Sequence, residues 1–520
     1  MNVGMFLTKS AKTYPNNTAV IYGTKQLSYA QFNARVNRLA NALRRLDIQK
    51  GQNVAILQYN YPQTLESLFA CFKAGCGAVP LNFRLHPNEY AFIIDHSESV
   101  AVILSSEFKE PILNCRNKIS KAKHLIVLDQ AEGELLDYEN ILDCEPPYFT
   151  DVDVNPEDLA WIFYTSGTTG NPKGAMLTHR NLISMSMNFF SDISPGCGPG
   201  DVVLHAAPLS HGSGLYALPN IGKAAGNVIP EGKSFDAEQI FKLIQDHRVT
   251  NMFVAPTMLK ILMDSPAVNK YDHSFVKSIN YGGGPMLVED LKKAIEKLGP
   301  CLIQLYGQAE SPMTITYLPH GDHVVDGTKD QIKRLASAGY PRTDVEVKIF
   351  DGDDNELSVG EIGEIVTRSD VVMKGYWRNP EATMQTLKNG WLHTGDMGYM
   401  DGCGFLFIMD RTKDMIISGG ENIYPREIEE VIIQHPAVRE VSVIGIPDPK
   451  WGEAVKAVVS LVPGETITES ELIIYCQNNM ASYKKPKFVD IVDELPKNNY
   501  GKILKRELRD RYWSDRDRKV

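Results

Sequence analysis

The sequence predicts an α/β protein with a large N-terminal domain of several subdomains, in which mixed sheets are flanked by helices, and a small α+β C-terminal domain. Segments with helix periodicity alternate with short apolar runs, and 520 residues allow about three structural units. After about residue 400 the chain changes to short β-like runs beside glycines, and this change predicts the second domain. The 43% of apolar and 23% of charged residues are typical of a globular chain with a sizeable core.

The alternation of helices and strands is clear near the start of the chain. Apolar residues recur at helix period from Leu27 to Leu46, and Gly51 follows as a break. Residues 53–57 predict a buried strand. Residues 61–74 return to helix period and end at a glycine-rich turn, residues 75–77.

A second helix–strand pair lies in the middle of the chain. Asp236 is the predicted N-cap of a helix over residues 237–246, with Gln239 in the capping-box position. Residues 249–254 predict a strand that ends before Pro256. Alternating units of this kind predict parallel or mixed sheets covered by helices.

The last part of the chain combines short strands with helices. Its predicted elements are strands over 405–409, 415–418 and 441–446 and a helix over 425–434. We expect an N-terminal domain of residues 1–412 and a C-terminal domain of residues 413–520, with the boundary near residues 410–414.

Charge and composition exclude several classes of protein. The net charge of −10 disfavours a nucleic-acid partner, which would need a basic face. No apolar run reaches the length of about 20 residues that a bilayer requires, and a targeting signal is not expected. The eight cysteines form no C-x-x-C pair, so a zinc site is not expected and most should fill the core. A reduced cytoplasmic location is the expectation.

The strongest local signal is the segment over residues 164–174, with the sequence YTSGTTGNPKG. It follows the apolar run 159–163, a predicted strand, and its hydroxyls, glycines and lysine fit a loop that surrounds phosphate oxygens. It is not a Walker A loop, because Pro172 precedes Lys173 and Gly174 follows it. Alone, the segment predicts nucleotide or phosphate binding.

Further motifs follow in a fixed order. They are PLSHG at 208–212, YGGGP at 281–285, YGQAE at 306–310, GYW at 375–377, WLHTGD at 391–396, DRTKD at 410–414, SGGENIYP at 418–425 and GKI at 501–503. Together with the 164–174 segment, this set resembles the adenylate-forming (ANL) superfamily of acyl-CoA synthetases, peptide-synthetase adenylation domains and luciferases. The resemblance covers essentially the whole chain and implies that the small domain is mobile and swings about Lys413.

The chemistry of the residues agrees with that resemblance. A carboxylate is a poor electrophile, so joining it to a thiol requires activation. The resemblance implies attack of the acid on the α-phosphorus of ATP, giving an acyl-adenylate and pyrophosphate, followed by transfer to coenzyme A. Two anions meet in the first step, so cations and hydrogen-bond donors are required. ATP, Mg²⁺, coenzyme A and a small carboxylic acid are therefore the expected cofactors and partners, and a homodimer is one expected assembly.

The resemblance also implies residue roles. The expected catalytic residues are Lys502, which would bridge the carboxylate and the α-phosphate, Glu310 and His211; the expected metal ligands are Glu310 and Thr165. Asp396 and Arg411 would contact the ribose, and Tyr306 would stack on adenine. The full set expected to bind ATP or coenzyme A is Thr165, Ser166, Gly167, Thr168, Thr169, Gly170, Lys173, Gly283, Gly284, Pro285, Tyr306, Gly307, Asp396, Arg411, Lys413, Gly419 and Gly420.

One position departs from the family pattern. Ala309 stands where the family usually has a threonine that contacts phosphate. The loss of one donor among several should cost roughly 1 kcal/mol, which affects the adenylation rate more than the reaction class.

The sequence does not determine which carboxylic acid is the substrate. Residues 207–216 contain no aspartate for a substrate ammonium, and a carrier domain is not expected, so a stand-alone acyl-CoA ligase is favoured. The expected acid pocket is formed by His211, Gly212, Gly214, Met258, Gly282, Gly283, Pro312 and Met313, and it suits a fatty, aryl or alicyclic acid. The alternatives are a luciferase-like oxygenase, a stand-alone amino- or aryl-acid adenylation enzyme, and a nucleotide-binding regulator without catalysis. The last should lack Lys502 or Glu310, and both are present.

Overall fold

The computed structural model describes residues 1–165, 172–411, 414–419, 421–497 and 503–513. These residues form four β-sheets of nine, seven, five and five strands. The two larger sheets are mainly parallel and the two smaller ones mainly antiparallel, so the expected combination of α/β and α+β parts is confirmed.

The nine-stranded sheet has a parallel centre and antiparallel strands at both ends. In spatial order its strands are Tyr340–Pro341, Ser311–Leu318, Leu302–Gln308, Ser278–Gly282, Asn251–Val254, Val202–Leu204, Gly226–Ile229, Thr18–Tyr22 and Lys25–Ser28. The strand Thr18–Tyr22 pairs in parallel with Gly226–Ile229, which follows much later in the chain. The sheet therefore joins the beginning of the chain to its middle.

The seven-stranded sheet is parallel except for its last pair. Its strands, in spatial order, are Leu136–Asp137, His124–Val127, Ser99–Leu104, Asn53–Leu57, Gly77–Pro80, Leu159–Thr165 and Lys173–Thr178. All five residues of Asn53–Leu57 are buried, as expected of a central strand covered on both faces.

The two five-stranded sheets follow one another in the chain. The third consists of Glu346–Phe350, Gly363–Arg368, Trp391–Met400, Leu387–Lys388 and Leu406–Arg411. The fourth consists of Glu421–Ile423, Ile416–Ser418, Gly452–Leu461, Val438–Asp448 and Phe488–Ile491. The chain thus leaves the third sheet at Arg411 and enters the fourth at Ile416.

The helices fill the connections between these strands. They are Met5–Thr13, Tyr29–Arg45, Pro62–Ala74, Pro87–His96, Lys109–Asn114, Tyr138–Asp143, His179–Asn188, Gly212–Gly222, Ala237–His247, Pro256–Asp264, Val288–Leu298, Lys329–Arg334, Pro380–Thr386, Pro425–Ile432, Glu469–Asn479 and Lys505–Trp513. None of the helices in the described ranges is long and apolar enough to cross a bilayer. Six of the eight cysteines are buried, which confirms their expected place in the core.

Most predicted elements are confirmed, with two corrections. The helix predicted from Leu27 begins at Tyr29, because Leu27 and Ser28 still belong to a strand and Ser28 caps the helix. The capping box predicted at Gln239 is wrong. Asp236 does cap the helix, but Gln239 Nε2 donates to the carbonyl of Glu231 instead of returning to the N-cap.

Candidate active site

The predicted phosphate loop connects two neighbouring strands. Leu159–Thr165 and Lys173–Thr178 run antiparallel, and Thr165 pairs directly with Lys173. The predicted binding residues between them, Ser166, Gly167, Thr168, Thr169 and Gly170, lie outside the described residues. The two ends of the loop are thus held side by side.

A short segment, residues 373–377, joins the phosphate loop to the turn that carries Glu310. Its backbone pairs with the strand after the loop, through Lys374 N to Met176 O at 2.9 Å and Trp377 N to Gly174 O at 2.8 Å. Met373 N donates to the carbonyl of Glu310 at 2.8 Å. The strand Lys173–Thr178, which follows the loop, and the distant Glu310 turn are therefore linked by one strand-like segment.

Tyr376 connects the functional side chains on both sides of this segment. Its hydroxyl donates to Glu310 Oε1 at 2.5 Å, and Lys173 Nζ lies 5.3 Å from the centre of its ring. Burial and the charge of Glu310 raise the pKa of Tyr376, so it keeps its proton and donates. Tyr376 is not among the site residues predicted from the sequence. Its place in the GYW motif is the signal that could have identified it.

A second carboxylate, Asp396, is surrounded by donors. Tyr306 Oη and Gln308 Nε2 each donate to Asp396 Oδ2 at 2.7 Å, and Arg411 Nε lies 3.3 Å from Oδ1. Asp396 is only 6% exposed, and these contacts compensate its buried charge. The predicted Asp396, Arg411 and Tyr306 are thus brought together, and Gln308 is a member that the sequence reasoning missed.

The strand residues directly before Asp396 are fixed by Glu364. One carboxylate oxygen accepts from Gly395 N at 2.9 Å, and the other lies 2.8 Å from His393 Nδ1. Gly395 has a φ of +69°, a conformation that glycine adopts without strain. Glu364 therefore sets the course of the backbone that presents Asp396.

The glycines of the YGGGP motif follow the strand Ser278–Gly282. Gly282 pairs with Leu305, the neighbour of Tyr306, and a Cβ on Gly282 would lie 2.4 Å from the Leu305 carbonyl oxygen. Gly283, Gly284 and Pro285 thus leave the sheet beside the strand that carries Tyr306 and Gly307. The two motifs therefore lie next to each other.

His211 lies at the start of the helix Gly212–Gly222. Its Nδ1 is 3.0 Å from Ser210 Oγ, and its ring meets Phe163 edge-on with centroids 5.2 Å apart. Burial and the cation of Arg84 lower the pKa of His211 to about 4, so the ring is neutral at pH 7. A neutral imidazole suits contact with an apolar acid better than an imidazolium would.

The C-terminal part of the predicted site is described in part. Gly419 has a φ of +63°, and its N–H donates to the carbonyl of Trp451 at 2.8 Å. Lys413, Gly420 and Lys502 lie outside the described residues. Within the described ranges, no group of three or more His, Cys, Asp or Glu side chains is placed to hold a metal ion.

The comparisons with known proteins all indicate the same family. The family model described as AMP-binding enzyme matches residues 7–377, and that described as AMP-binding enzyme C-terminal domain matches residues 427–502. Feruloyl-CoA synthase of Amycolatopsis sp is 37% identical over 512 residues, covering 98% of this chain and 99% of that protein. A medium/long-chain-fatty-acid–CoA ligase of Mycobacterium tuberculosis is 32% identical, covering 99% and 91%. The ATP-bound crystal structure of MatB from Rhodopseudomonas palustris superimposes with a TM-score of 0.88 at 31% identity, covering 99% of each chain.

Proposed function

The chain belongs to the family of AMP-binding enzymes and is an acid–thiol ligase of the AMP-forming type, and from this premise we propose that it converts an apolar carboxylic acid, whether fatty, aryl or alicyclic, into its CoA thioester. The acid first reacts with ATP to an acyl-adenylate with release of pyrophosphate. The thiol of CoA then displaces AMP. The first two relatives named above are CoA ligases for an aryl acid and for fatty acids, which favours this reading over an oxygenase or an amino-acid adenylation enzyme.

The observation that carries the proposal is the pair of separately supported carboxylates. Asp396 is buried among neutral donors and Arg411, which suits the hydroxyl groups of a ribose. Glu310 is half-buried and accepts from Tyr376, whose ring centre lies 5.3 Å from Lys173 Nζ, and this suits the charged end of the nucleotide. Two carboxylates with such different surroundings match the two ends of ATP.

Mg²⁺ fits the oxygen donors at the phosphate end. Glu310 offers a carboxylate and Thr165 a hydroxyl, and one or two protein oxygens together with phosphates are typical of a Mg²⁺ site. When bound, Mg²⁺ supplies positive charge that offsets the charge of the triphosphate. Tyr376 holds one oxygen of Glu310, which fixes the direction of the carboxylate.

Lys502 is the proposed adenylating lysine. The chain on either side of it is anchored, since Lys497 and Ile503 form an antiparallel bridge and Lys505 Nζ lies 3.3 Å from Asp410 Oδ2 at the end of the third sheet. Lys505, three residues after Lys502, therefore lies beside Asp410, the neighbour of Arg411. A cation there would offset the negative charge that gathers when the carboxylate approaches the α-phosphate.

The reaction class is tested with pyrophosphate release. Purified protein is incubated with ATP, Mg²⁺, CoA and single acids from fatty, benzoic, cinnamic and alicyclic series, and AMP and thioester are quantified. We expect equal amounts of AMP and acyl-CoA with at least one series. Absence of pyrophosphate release with every acid would contradict the proposal.

The role of Lys502 is tested by separating the two half-reactions. We expect Lys502→Ala to lower acyl-adenylate formation by several orders of magnitude, while a chemically supplied acyl-adenylate still reacts with CoA. Lys242→Ala is the control, because Lys242 is an exposed lysine that pairs with Asp246 on a remote helix. Equal losses in both half-reactions would exclude the assigned role.

A further inference from the structure

The helix Gly212–Gly222 begins beside His211, a residue of the expected acid pocket, and leads into the protein. Gly212, Tyr216 and Pro219 are spaced by four and three residues, so they share one face of this helix. A Cβ on Gly212 would lie 2.8 Å from Phe253 Cε1 and 3.3 Å from Met313 Cε. From Gly212 to Pro219 the helix rises about 10 Å, since each residue adds about 1.5 Å.

This face ends at a small cavity of about 10 Å³. Its lining includes Phe189, Tyr216, Pro219, Met313 and Arg342. A volume of this size holds about one water-sized atom. The cavity therefore has room for about one terminal atom of a substrate at this depth.

Aromatic rings give the approach to the cavity a flat shape. Tyr216 and Phe253 are stacked with centroids 5.7 Å apart and an angle of 12°, and Phe189 meets Tyr216 edge-on at 5.2 Å. Met313 has a φ of +63°, an unusual conformation for a non-glycine residue. Flat aromatic walls favour an aryl group over an alicyclic or branched one.

Arg342 places a hydrogen-bond donor at the inner end. It is 2% exposed; Nε donates to Asp192 Oδ2 at 2.7 Å and Nη1 to the Met313 carbonyl at 3.3 Å. Its buried Nη2 has no hydrogen-bond partner within the described part of the chain. An unpaired buried donor is costly, so it indicates a group that binds there.

The charge of Arg342 is already balanced. The side chains of Arg342 and Asp192 are 1% and 4% exposed, and they form a buried ion pair. A second anion at this place would leave a net buried negative charge, which is unfavourable. The free donor therefore requires a neutral oxygen acceptor rather than a second carboxylate.

We propose that Arg342 is a specificity-determining residue that selects an aryl carboxylic acid whose far end carries a neutral oxygen, such as a phenolic hydroxyl group. This inference rests on the proposed function, because it assumes that the acid lies along the Gly212 face. The oxygen occupies the small cavity and accepts from Nη2. A fatty acid would place apolar carbon against the guanidinium.

The test compares two acids of nearly equal size. Initial rates of pyrophosphate release are measured with 4-hydroxycinnamate and 4-methylcinnamate, with decanoate as the fatty reference. Because a hydrogen bond to a charged donor is strong, we expect kcat/KM to favour the hydroxy acid over the methyl acid by about 10- to 100-fold. A wild-type ratio below about threefold, or a higher kcat/KM for decanoate, overturns the inference without any variant.

Variants assign the preference to Arg342. We expect the ratio to fall to within about threefold of unity in Arg342→Met, and likewise in Arg342→Lys, which keeps a cation for Asp192 if the methionine variant does not fold. Arg368→Met, at an exposed arginine paired with Glu346, should keep the wild-type ratio. An unchanged ratio in the Arg342 variants overturns the inference. Failure of every acid to release pyrophosphate instead rejects the proposed function, and the inference falls with it.

Discussion

At the scale of single residues, Asp396 contacts three other side chains of the protein itself. A carboxylate has about four lone-pair directions, and Tyr306 and Gln308 share one oxygen while Arg411 faces the other. The oxygen facing Arg411 therefore has room for a hydroxyl donor. The protein contacts fix the carboxylate in advance, so ribose binding costs little reorganisation.

Asp396→Asn should weaken ATP binding. The amide lacks the negative charge, and its NH₂ group cannot accept from the donors that meet Asp396. We expect KM for ATP to rise by about tenfold or more, since hydrogen bonds involving a charged group are strong. Asp370→Asn, at an exposed carboxylate, serves as the control. An unchanged KM for ATP would count against Asp396 as the nucleoside contact.

Tyr376→Phe tests the support of Glu310. The variant keeps the ring beside Lys173 but removes the donor to Glu310 Oε1. Loss of such an outer contact typically weakens metal binding by about 10- to 100-fold. We expect the Mg²⁺ concentration for half-maximal rate to rise, and to rise further in Glu310→Gln. If both variants keep the wild-type Mg²⁺ dependence, Glu310 does not serve the metal.

At the scale of elements, the caps decide where helices begin. Asp236 accepts from the backbone N–H groups of Glu238 and Gln239, whereas the Gln239 side chain binds the Glu231 carbonyl. We expect Asp236→Ala to lower local stability by about 1 kcal/mol, and Gln239→Ala to have a smaller effect. Hydrogen exchange of the first helical turn measures both. Equal effects would mean that the two side chains cap the helix jointly.

The elements were the most predictable part of the molecule, because hydrophobic period and caps are local properties. Residues 53–57 match the predicted strand at both ends, while the helix predicted from Leu27 starts two residues later. The site motifs were recognisable, but the contacts of Gln308 and Tyr376 depend on strands distant in sequence. Likewise, the Arg342–Asp192 pair follows from tertiary packing and leaves no pattern along the chain.

At the scale of the whole molecule, the third and fourth sheets are linked across the predicted hinge. Lys505 Nζ lies 3.3 Å from Asp410 Oδ2 and 2.9 Å from Glu429 Oε1. Burial opposes its charge, but Asp410 and Glu429 outweigh this effect and raise the pKa of Lys505. Because Asp410 precedes the predicted pivot at Lys413 and Lys505 follows it, rotation of the small domain would separate them.

Asp410→Asn should therefore change the balance between the two half-reactions. Weakening the charged contact lowers the stability of the described arrangement relative to the rotated one. We expect the ratio of adenylation to thioester-forming rates to change by about tenfold, which corresponds to about 1.4 kcal/mol. Arg506→Met, on the exposed side of the same helix, should leave the ratio unchanged. Equal rate changes in both half-reactions would show that the contact does not bear on the rotation.

Buried histidines should make the fold sensitive to acid. Burial lowers the pKa of His179, His205 and His323 to about 4, below the value of about 6.5 in an unfolded chain. Between these pH values the unfolded state binds the additional protons, so stability is lost as the pH falls from about 6.5 to 4. Each group contributes up to about 1.4 kcal/mol per pH unit.

Urea unfolding at pH 7.5 and 5.0 measures this dependence. His205 lies between Ser213 Oγ at 2.9 Å and Asn227 Oδ1 at 3.0 Å. His205→Gln should lower stability at neutral pH but reduce the difference between the two pH values. A difference as large as in the wild type would show that His205 does not contribute to acid unfolding.

The parallel pairing of Thr18–Tyr22 with Gly226–Ile229 determines how long the first strand stays unpaired during biosynthesis. A ribosome adds about 5–20 residues per second, so the early strand waits roughly 10–40 s for its partner. During this interval the nascent chain carries a strand edge with the apolar residues Val20 and Ile21 and no neighbour on one side. Pauses in translation before the strand Gly226–Ile229 has left the ribosome therefore prolong exposure to aggregation, whereas later pauses do not.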